Sequence, residues 1–272
     1  MKFTLIGGHG VIGSSLLQML RADNHECVAI GRSEADRPGV NLGHVIYAAG
    51  VTADFRARPY DTVNAHVSRV ARLLESSKFD SFLYLSSTRV YRLSDHGAEE
   101  RPVITDPGDP ESLYDISKLM GEALCLGHAM GTVRVARLSN VVDDDAARPD
   151  FLSTVVRDAL TRGEVVFQST LDSERDFIAK HDLAPILIRI TVSGEKRIYN
   201  VASGTNLSNR AIGELLQSTT GCTVREQAKA QRVKYPRIDT SRITQEFQFK
   251  PTPAPAMVQT AIARAMEHAN SH

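Results

Sequence analysis

The chain of 272 residues has only three cysteines, no tryptophan and no net charge. Cys27, Cys125 and Cys222 lie far apart, which excludes a disulfide framework and a Cys-x-x-Cys metal pair. The histidines do not group with carboxylates at metal-ligand spacing either. The 32 Lys and Arg residues are balanced by 32 Asp and Glu residues, whereas proteins that bind nucleic acid carry a basic excess. We therefore expect neither a nucleic acid partner nor a bound metal ion.

Long apolar stretches are missing as well. No segment approaches the roughly 18 uninterrupted apolar residues of a membrane span. Glycines already occur at positions 7 and 8, which leaves no room for the longer apolar segment of a signal peptide. A composition with 42% hydrophobic and 24% charged residues is typical of a soluble globular protein. The sequence thus predicts a soluble, cytoplasmic protein that does not associate with a membrane.

Short apolar segments alternate with segments of helical periodicity over the first 200 residues. This alternation is typical of an α/β fold with a doubly wound parallel sheet of the Rossmann type, covered by helices on both faces. It predicts strands at residues 2–6, 26–30, 44–48, 81–85, 132–138 and 197–201. The helices predicted between them are at about 11–21, 60–77, 112–129 and 183–192.

Two departures from regular alternation bear on the domain organisation. Only residues 33–43 separate Arg32 from His44, which is too short for the helix and strand that usually intervene, so one unit is expected to be trimmed. Beyond Val142 the pattern loosens, with helices expected at 151–161, at 207–219 and after Lys250, and short strands at 165–167 and 176–178. We expect a small C-terminal α/β domain from residues 143–175 and 203–272, beside a main domain of residues 1–142 and about 176–202.

A glycine-rich turn follows the first predicted strand, with Gly7, Gly10 and Gly13 spaced three apart before an apolar helix. This spacing suits a dinucleotide pyrophosphate, since the backbone can approach the phosphates closely and the helix N-terminus supplies free N–H groups. A plain strand-to-helix connection is the alternative. The cofactor-binding residues predicted here are Gly7, His9, Gly10, Val11, Ile12 and Gly13.

The choice of cofactor depends on the end of the second strand. Sites for NAD usually carry an acidic residue there to hold the ribose hydroxyls. This chain has Arg32 and Ser33 instead, and a guanidinium with a hydroxyl suits the 2′-phosphate of NADP(H). We therefore favour NADP(H). In the alternative, Arg32 is a surface residue, Glu34 holds the ribose, and the cofactor is NAD(H).

Tyr114 and Lys118 lie four residues apart, on one face of a predicted helix. Ser87 ends the strand that precedes this helix, and loops after parallel strands gather at the ligand crevice. Hydride transfer to a carbonyl leaves an oxyanion that must be protonated. A tyrosine can serve when a neighbouring ammonium lowers its pKa, and a serine can orient the substrate oxygen. We predict catalytic roles for Ser87, Tyr114 and Lys118.

With these landmarks the sequence resembles the extended short-chain dehydrogenase/reductase superfamily, in its NAD(P)-dependent sugar-nucleotide epimerase/dehydratase family. The resemblance implies the same three catalytic residues, and a nucleotide sugar as substrate. It adds cofactor contacts from Ala48, Ala49 and Gly50. Its further landmarks are Val45-Ile46-Tyr47, Asn64, Ser86 with Val90-Tyr91, Arg137-Leu138-Ser139-Asn140-Val141, Arg175-Asp176-Phe177-Ile178 with Asp182, and Tyr199-Asn200-Val201. The substrate-binding residues that it implies are Ser87, Thr88, Asn140 and Arg175.

One departure from the family pattern narrows the reaction. Sugar-nucleotide 4,6-dehydratases carry an acidic pair where this chain has Thr88-Arg89, so dehydration is not expected. We expect an NADP-dependent reductase of a 4-keto-6-deoxy sugar on a nucleotide. The alternatives are an NAD-dependent 4-epimerase and a non-catalytic dinucleotide-binding regulator, against which Tyr114 and Lys118 both argue. A homodimer is expected through helices 60–77 and 112–129, although burial within one chain would give the same apolar faces.

Overall fold

The computed structural model describes residues 1–31, 39–142 and 150–270. Arg32 and Ser33, the expected ligands of the 2′-phosphate, lie outside the described residues. The strands are β1 (Lys2–Ile6), β2 (Glu26–Ile30), β3 (His44–Tyr47), β4 (Ser81–Ser87), β5 (Val133–Leu138), β6 (Asn140–Val142), β7 (Glu164–Ser169), β8 (Glu174–Ala179), β9 (Ile198–Val201), β10 (Asn206–Ser208) and β11 (Thr223–Gln231).

The helices follow the strands in near alternation. They are α1 (Val11–Ala22), α2 (Pro59–Val63), α3 (Arg69–Ser76), α4 (Ser112–Gly127), α5 (Phe151–Arg162), α6 (Lys180–Ser193), α7 (Asn209–Thr220), α8 (Ser241–Phe247) and α9 (Ala254–Asn270). A π-helical turn (Asn64–Ser68) joins α2 to α3, and a 3-10 turn (Thr88–Tyr91) follows β4. In the described part of the chain, no helix has both the length and the apolar character that a membrane crossing requires.

Six parallel strands form the main sheet, in the order β2–β1–β3–β4–β5–β9. Its strands read as continuous apolar runs because both faces are covered. One face packs against α1 and α6 through residues such as Leu16, Leu20 and Leu187. The other packs against α3 and α4 through residues such as Val70 and Cys125. The predicted α/β fold with a doubly wound parallel sheet is confirmed.

The connection from β2 to β3 is as short as the sequence predicts. β2 lies at the edge of the sheet, and the main sheet has no further strand beyond it within the described residues. The chain returns beside the end of α3, where the Leu42 N–H donates to the carbonyl oxygen of Lys78 at 2.8 Å, and then enters β3. The order of the strands therefore reverses between β1 and β3, which is where an open α/β sheet binds its ligands.

A second apolar cluster lies apart from the main sheet. It joins α5, α7 and α9 with β7 and β8 through residues such as Val156, Phe167, Ile212 and Val258. Two small sheets accompany it, β10–β8–β6 and β11–β7. The division into a main domain and a small C-terminal domain at the residues given above stays a prediction.

Candidate active site

A cavity of about 710 Å³ opens at the carboxyl ends of the central strands. This crevice lies at the reversal of strand order between β1 and β3. The residues around it come from the start of α1, the segment after β3, the end of β4, α4, and the end of β5. They are Val11, Ile12, Ala48, Ala49, Gly50, Thr52, Ala53, Asp54, Leu85, Ser86, Ser87, Thr88, Arg89, Tyr114, Lys118, Leu138, Ser139, Asn140, Val141, Asp150, Asp176, Tyr235 and Ile238.

The segment from Gly7 to Gly13, here called the glycine turn, requires glycine at both of its ends. Gly7 has φ +85°, a left-handed conformation, and a Cβ there would lie 2.7 Å from the Ala49 nitrogen. A Cβ at Gly13 would lie 2.4 Å from the Gly7 carbonyl oxygen. Gly10 precedes α1 without a side-chain cap, so the first N–H groups of the helix keep their donors available. This cradle fits a dinucleotide pyrophosphate.

The predicted cofactor residues fall into three groups in the structure. Val11, Ile12, Ala48, Ala49 and Gly50 all line the crevice. The three glycines of the turn shape its backbone without lining the cavity themselves, and His9 is exposed and lies outside the lining. Their contacts with a cofactor stay predictions.

Ser87, Tyr114 and Lys118, here called the tyrosine cluster, meet on one side of the crevice. β4 ends at Ser87, and α4 begins two residues before Tyr114, which is 7% exposed. The Ser87 hydroxyl accepts a hydrogen bond from the Arg89 N–H at 3.2 Å and lies close enough to the phenol of Tyr114 to lower its pKa. The Lys118 ammonium donates to the Leu85 carbonyl oxygen at 2.9 Å, and its nitrogen is 5.9 Å from the centre of the Tyr114 ring. The structure therefore brings the three residues together, as the sequence predicts.

Burial dominates the ionisation of this cluster, so the pKa of Tyr114 is not lowered as the sequence analysis expects. Burial raises the pKa of Tyr114 to about 12, while the Ser87 hydroxyl and the nearby Arg89 act in the opposite direction. Burial also lowers the pKa of Lys118 to about 7, against the attraction of Glu122 one turn further along α4. At neutral pH, the phenol thus keeps its proton and the ammonium is close to its titration point.

The expected substrate residues are placed differently from one another. Thr88 is buried and lines the crevice, and Asn140 is exposed there, with its amide donating to the Asp176 carbonyl oxygen at 2.8 Å. Arg175 is not among the lining residues. Its guanidinium lies 4.2 Å from the centre of the Phe151 ring, and its Nε is buried without a hydrogen-bond partner among the described residues. Burial lowers the pKa of Arg175.

Comparison with known proteins identifies the family. The model of the NAD dependent epimerase/dehydratase family matches residues 3–202, which is most of the chain. The chain belongs to this family. The predicted resemblance is thereby confirmed, and the protein is an enzyme of the extended short-chain dehydrogenase/reductase type.

Three relatives of this epimerase/dehydratase-family enzyme illustrate its similarity to known proteins. A dTDP-glucose 4,6-dehydratase of Streptomyces griseus is 26% identical over 182 residues, which are 63% of this chain and 54% of that relative. MoeE5 in complex with UDP-glucose and NAD superimposes with a TM-score of 0.80, at 21% identity over 99% of this chain and 100% of that chain. RMD of Pseudomonas aeruginosa with NADPH gives 0.75, at 21% identity over 97% and 99%.

Arg89 contributes to the site of this family member in a way that sequence reasoning missed. Its guanidinium carbon is 5.3 Å from the centre of the Tyr114 ring and 5.0 Å from that of Phe55. It donates to a Glu111 carboxylate oxygen at 2.9 Å and lies 3.5 Å from Asp115. The sequence marks this arginine only as the residue that replaces an acid. Its place two residues after Ser87, in a strand-end loop, was the available signal.

His66 is the second residue that the sequence analysis missed. The structure leaves Asn64, the landmark of the resemblance, exposed, whereas His66 is completely buried and contacts the Tyr114 ring edge-on with 5.3 Å between ring centres. The signal was a polar residue at helical spacing with Val70 and Leu73, on the face that packs against the sheet.

Proposed function

We propose that this enzyme is an NADP-dependent reductase of a keto group on a nucleotide-linked sugar, with 4-keto-6-deoxy sugars as the substrate class. The observation that carries the proposal is the arrangement of the crevice, where Ser87, Tyr114 and Lys118 converge and Arg89 lies over Tyr114. The first three are the groups that hydride transfer needs. The fourth is a permanent cation at the place where an elimination would need a carboxylate.

The glycine turn supports a dinucleotide in this role, because its cradle leaves room for a backbone approach and no room for side chains. When bound, NADP(H) supplies the hydride. Lys118 would hold the nicotinamide ribose, and the segment Ala48, Ala49 and Gly50 would cover it. At the other end, Arg69 of α3 donates to the Gly31 carbonyl oxygen at 3.0 Å, which brings a cation to the end of β2. Gly31 directly precedes Arg32, the residue that is predicted to bind the 2′-phosphate.

The proton chemistry follows from the ionisation of the tyrosine cluster. Ser87 and Tyr114 both line the crevice, so their hydroxyls can face the same substrate oxygen. The raised pKa of Tyr114, about 12, keeps its proton in place at neutral pH, and this is the state in which a reduction begins. Tyr114 then donates the proton to the oxygen that receives negative charge. Lys118 stabilises the phenolate that remains.

Thr88 and Arg89 argue against a 4,6-dehydratase, although a relative in the family has that activity. Removal of the C5 proton and loss of the C6 hydroxyl need a base and an acid of suitable pKa. A threonine hydroxyl and a guanidinium supply neither at neutral pH. We infer that the sugar keeps its C6 group during the reaction.

The second candidate is an NAD-dependent 4-epimerase that uses the same three residues. It is favoured by the name of the family and by the similarity to MoeE5, which was solved with NAD and UDP-glucose. Such an enzyme must first take a proton from the substrate, so its Tyr114 would have to lose its own proton before catalysis.

Cofactor titration separates the two candidates. We would measure the binding of NADPH and NADH to the purified enzyme, with Arg32→Ala beside it and Arg162→Ala as a matched control at the end of α5. A reductase should prefer NADPH and lose about 10- to 100-fold in affinity in Arg32→Ala, because a charged hydrogen bond is removed. If the enzyme instead binds NAD tightly and with the same affinity in Arg32→Ala, the 4-epimerase becomes the favoured function. Binding without turnover of any nucleotide sugar would favour a regulator.

We further propose that the enzyme is cytoplasmic and forms homodimers through α2, α3 and α4. Within one chain, this surface leaves Tyr60 88%, Met120 51% and Leu124 36% exposed, so their apolar side chains are not buried by their own chain. Exposed apolar clusters of this kind mark association surfaces. Light scattering of the wild-type enzyme and of Leu124→Asp should show a dimer in the first and a monomer in the second.

A further inference from the structure

The helical segment beside the crevice is interrupted by the π-helical turn between α2 and α3. Such turns are rare and are frequently found at functional sites. Two buried tyrosines of the main sheet supply donors here. The Tyr47 hydroxyl donates to the Ala65 carbonyl oxygen at 2.5 Å, and the Tyr84 hydroxyl donates to that of His66 at 3.2 Å. The sheet therefore fixes the backbone of the turn that carries His66.

Both ring nitrogens of His66 have partners. The Val51 N–H donates to Nε2 at 3.3 Å, so Nε2 is the acceptor and Nδ1 carries the proton. Nδ1 then donates to the Ser117 hydroxyl oxygen at 2.8 Å, and that hydroxyl donates to the main-chain carbonyl oxygen of Tyr114 at 2.9 Å. One chain of hydrogen bonds thus runs from the segment after β3 to the backbone of Tyr114.

The imidazole is neutral in this setting. Burial, together with the positive charge of Lys118, lowers the pKa of His66 to about 2. A Cβ at Gly50 would lie 3.0 Å from Nε2 of His66 and 3.5 Å from the Lys118 nitrogen, so the two side chains contact the same glycine. The ring of His66 meets the Tyr114 ring at 89°, edge to face.

We propose that His66 is a positioning residue, which holds Tyr114 and Lys118 at their working separation by tying α4 and the segment after β3 to the π-helical turn. The inference rests on the proposed function, in which Tyr114 is the proton donor. His66 itself touches no reacting atom. The titratable or polar groups that face the Tyr114 phenol and ring are Ser87 at the end of β4, Arg89 of the 3-10 turn, Asp115 and Lys118 of α4, Tyr235 before α8, and His66.

Three substitutions separate the parts of this arrangement. His66→Phe keeps an aromatic edge against Tyr114 and loses both hydrogen bonds. His66→Asn keeps a donor for Ser117, and Ser117→Ala breaks the same chain one residue further on. His44→Phe is the matched control, because His44 is likewise hydrogen-bonded to a serine, with 2.9 Å between its Nδ1 and the Ser81 hydroxyl oxygen. These two residues begin β3 and β4, at the edge of the sheet that faces away from the crevice.

The readout is the ionisation of Tyr114 in the enzyme with NADP⁺, followed as tyrosinate absorbance and corrected with Tyr114→Phe. We expect His66→Phe to raise the pKa of the phenol by about one unit, a tenfold change, and to lower kcat about 10- to 100-fold with KM within about threefold. His66→Asn should recover most of this loss. Adding Ser117→Ala to His66→Phe should cost nothing more, because both act in one chain.

The proposal is overturned if His66→Phe and His44→Phe lower the melting temperature alike and neither moves the Tyr114 titration. If His66→Phe does not fold, Ser117→Ala decides the matter in the same titration, since an unchanged pKa there also overturns the proposal. Cofactor affinity and tyrosinate absorbance require no sugar. A shifted titration without turnover of any nucleotide sugar would therefore refute the proposed function and leave the positioning role of His66 standing.

Discussion

At the glycine turn, atoms are positioned by contact distances between backbone groups, whereas in the tyrosine cluster they are positioned by charges and hydrogen bonds. A Cβ at Gly7 or Gly13 would overlap main-chain atoms. Tyr114 instead depends on a hydroxyl, two cations and a buried imidazole from four different segments. The glycine turn is encoded by neighbouring residues and tolerates few substitutions. The tyrosine cluster is assembled from residues distant in sequence, and substitutions there can change the pKa of Tyr114 gradually.

The largest effect is expected at the tyrosine cluster. Tyr114→Phe removes the proton donor and keeps the ring, so kcat should fall about 10²- to 10⁴-fold while the affinity for NADPH changes little. Steady-state kinetics and fluorescence titration measure the two quantities. Tyr60→Phe is the control and should keep full activity, because it retains the ring on the proposed dimer surface and lies outside the crevice lining. Activity retained in Tyr114→Phe would remove this residue from the mechanism.

At the glycine turn, Gly7→Ala combines a left-handed backbone with a Cβ only 2.7 Å from the Ala49 nitrogen, which is closer than van der Waals contact allows. Cofactor affinity should fall by about 100-fold or more, because the turn must open to admit the Cβ. Gly163→Ala is the matched control, since Gly163 has φ +65° and a Cβ there would contact nothing within 4 Å. It should cost only the backbone strain, about 1–2 kcal/mol of unfolding free energy. Equal behaviour of the two variants would contradict a steric origin for the turn.

The features that could be predicted from the sequence are those that neighbouring residues encode, as in the glycine turn. The spacing of Gly7, Gly10 and Gly13 is visible in seven consecutive residues, and the strand that precedes it was predicted without error at Lys2–Ile6. The pair Tyr114 and Lys118 was found because helical spacing is local as well. Such features need no knowledge of the fold beyond strand, turn and helix.

The rest depends on contacts that only the folded chain creates. His66 was missed because the predicted helix over 60–77 is regular, whereas tyrosines of β3 and β4 hold a π-helical turn in it. β11 was missed because its exposed, polar residues show no alternation of apolar and polar positions. It is a strand because it pairs with β7, which the sequence pattern does not reveal. The sequence shows only that Arg89 replaces an acidic residue. Its guanidinium carbon lies 5.3 Å from the centre of the Tyr114 ring, and this contact joins the 3-10 turn to α4, which the sequence alone does not bring together.

Burial of the Lys118 ammonium in the tyrosine cluster should lower the free energy of unfolding in a way that depends on pH. Its pKa is about 7 in the folded protein and 10.5 in the unfolded chain, so the unfolded chain binds more protons between these values. The contribution of Lys118 to the free energy of unfolding therefore falls as the pH drops from about 10.5 to about 7, and this contribution stays constant below that range. Lys118→Met lacks this loss. Without cofactor, it should be more stable than wild type by about 1–4 kcal/mol at pH 6.5 and by less at pH 10.

Urea unfolding of the two proteins at both pH values checks this expectation. Lys250→Met, at the start of the proline-rich segment before α9, serves as the control for loss of one positive charge. A stability difference that does not depend on pH would mean that burial of the Lys118 ammonium is not its origin.

The smallest effect is expected at Arg89. The guanidinium lowers the pKa of Tyr114, so Arg89→Gln should raise it and move the pH dependence of kcat toward higher pH, with a loss of about three- to tenfold at neutral pH. Arg89→Lys keeps the charge and should fall between this variant and wild type. The pH profile of kcat measures the shift. An unchanged profile would restrict Arg89 to packing on Phe55.

The tyrosines that hold the π-helical turn also fix an order of events during folding. Tyr47 and Tyr84 can donate to the turn only when β3 and β4 already lie side by side, and parallel strands pair late because their contacts are distant in sequence. The turn then forms with or after the sheet, and the hydrogen bonds from His66 through Ser117 to Tyr114 can form only once the turn is in place. A refolding chain should therefore regain its β-sheet signal before it can bind NADPH, and substitutions in the turn should mainly change the rate of unfolding.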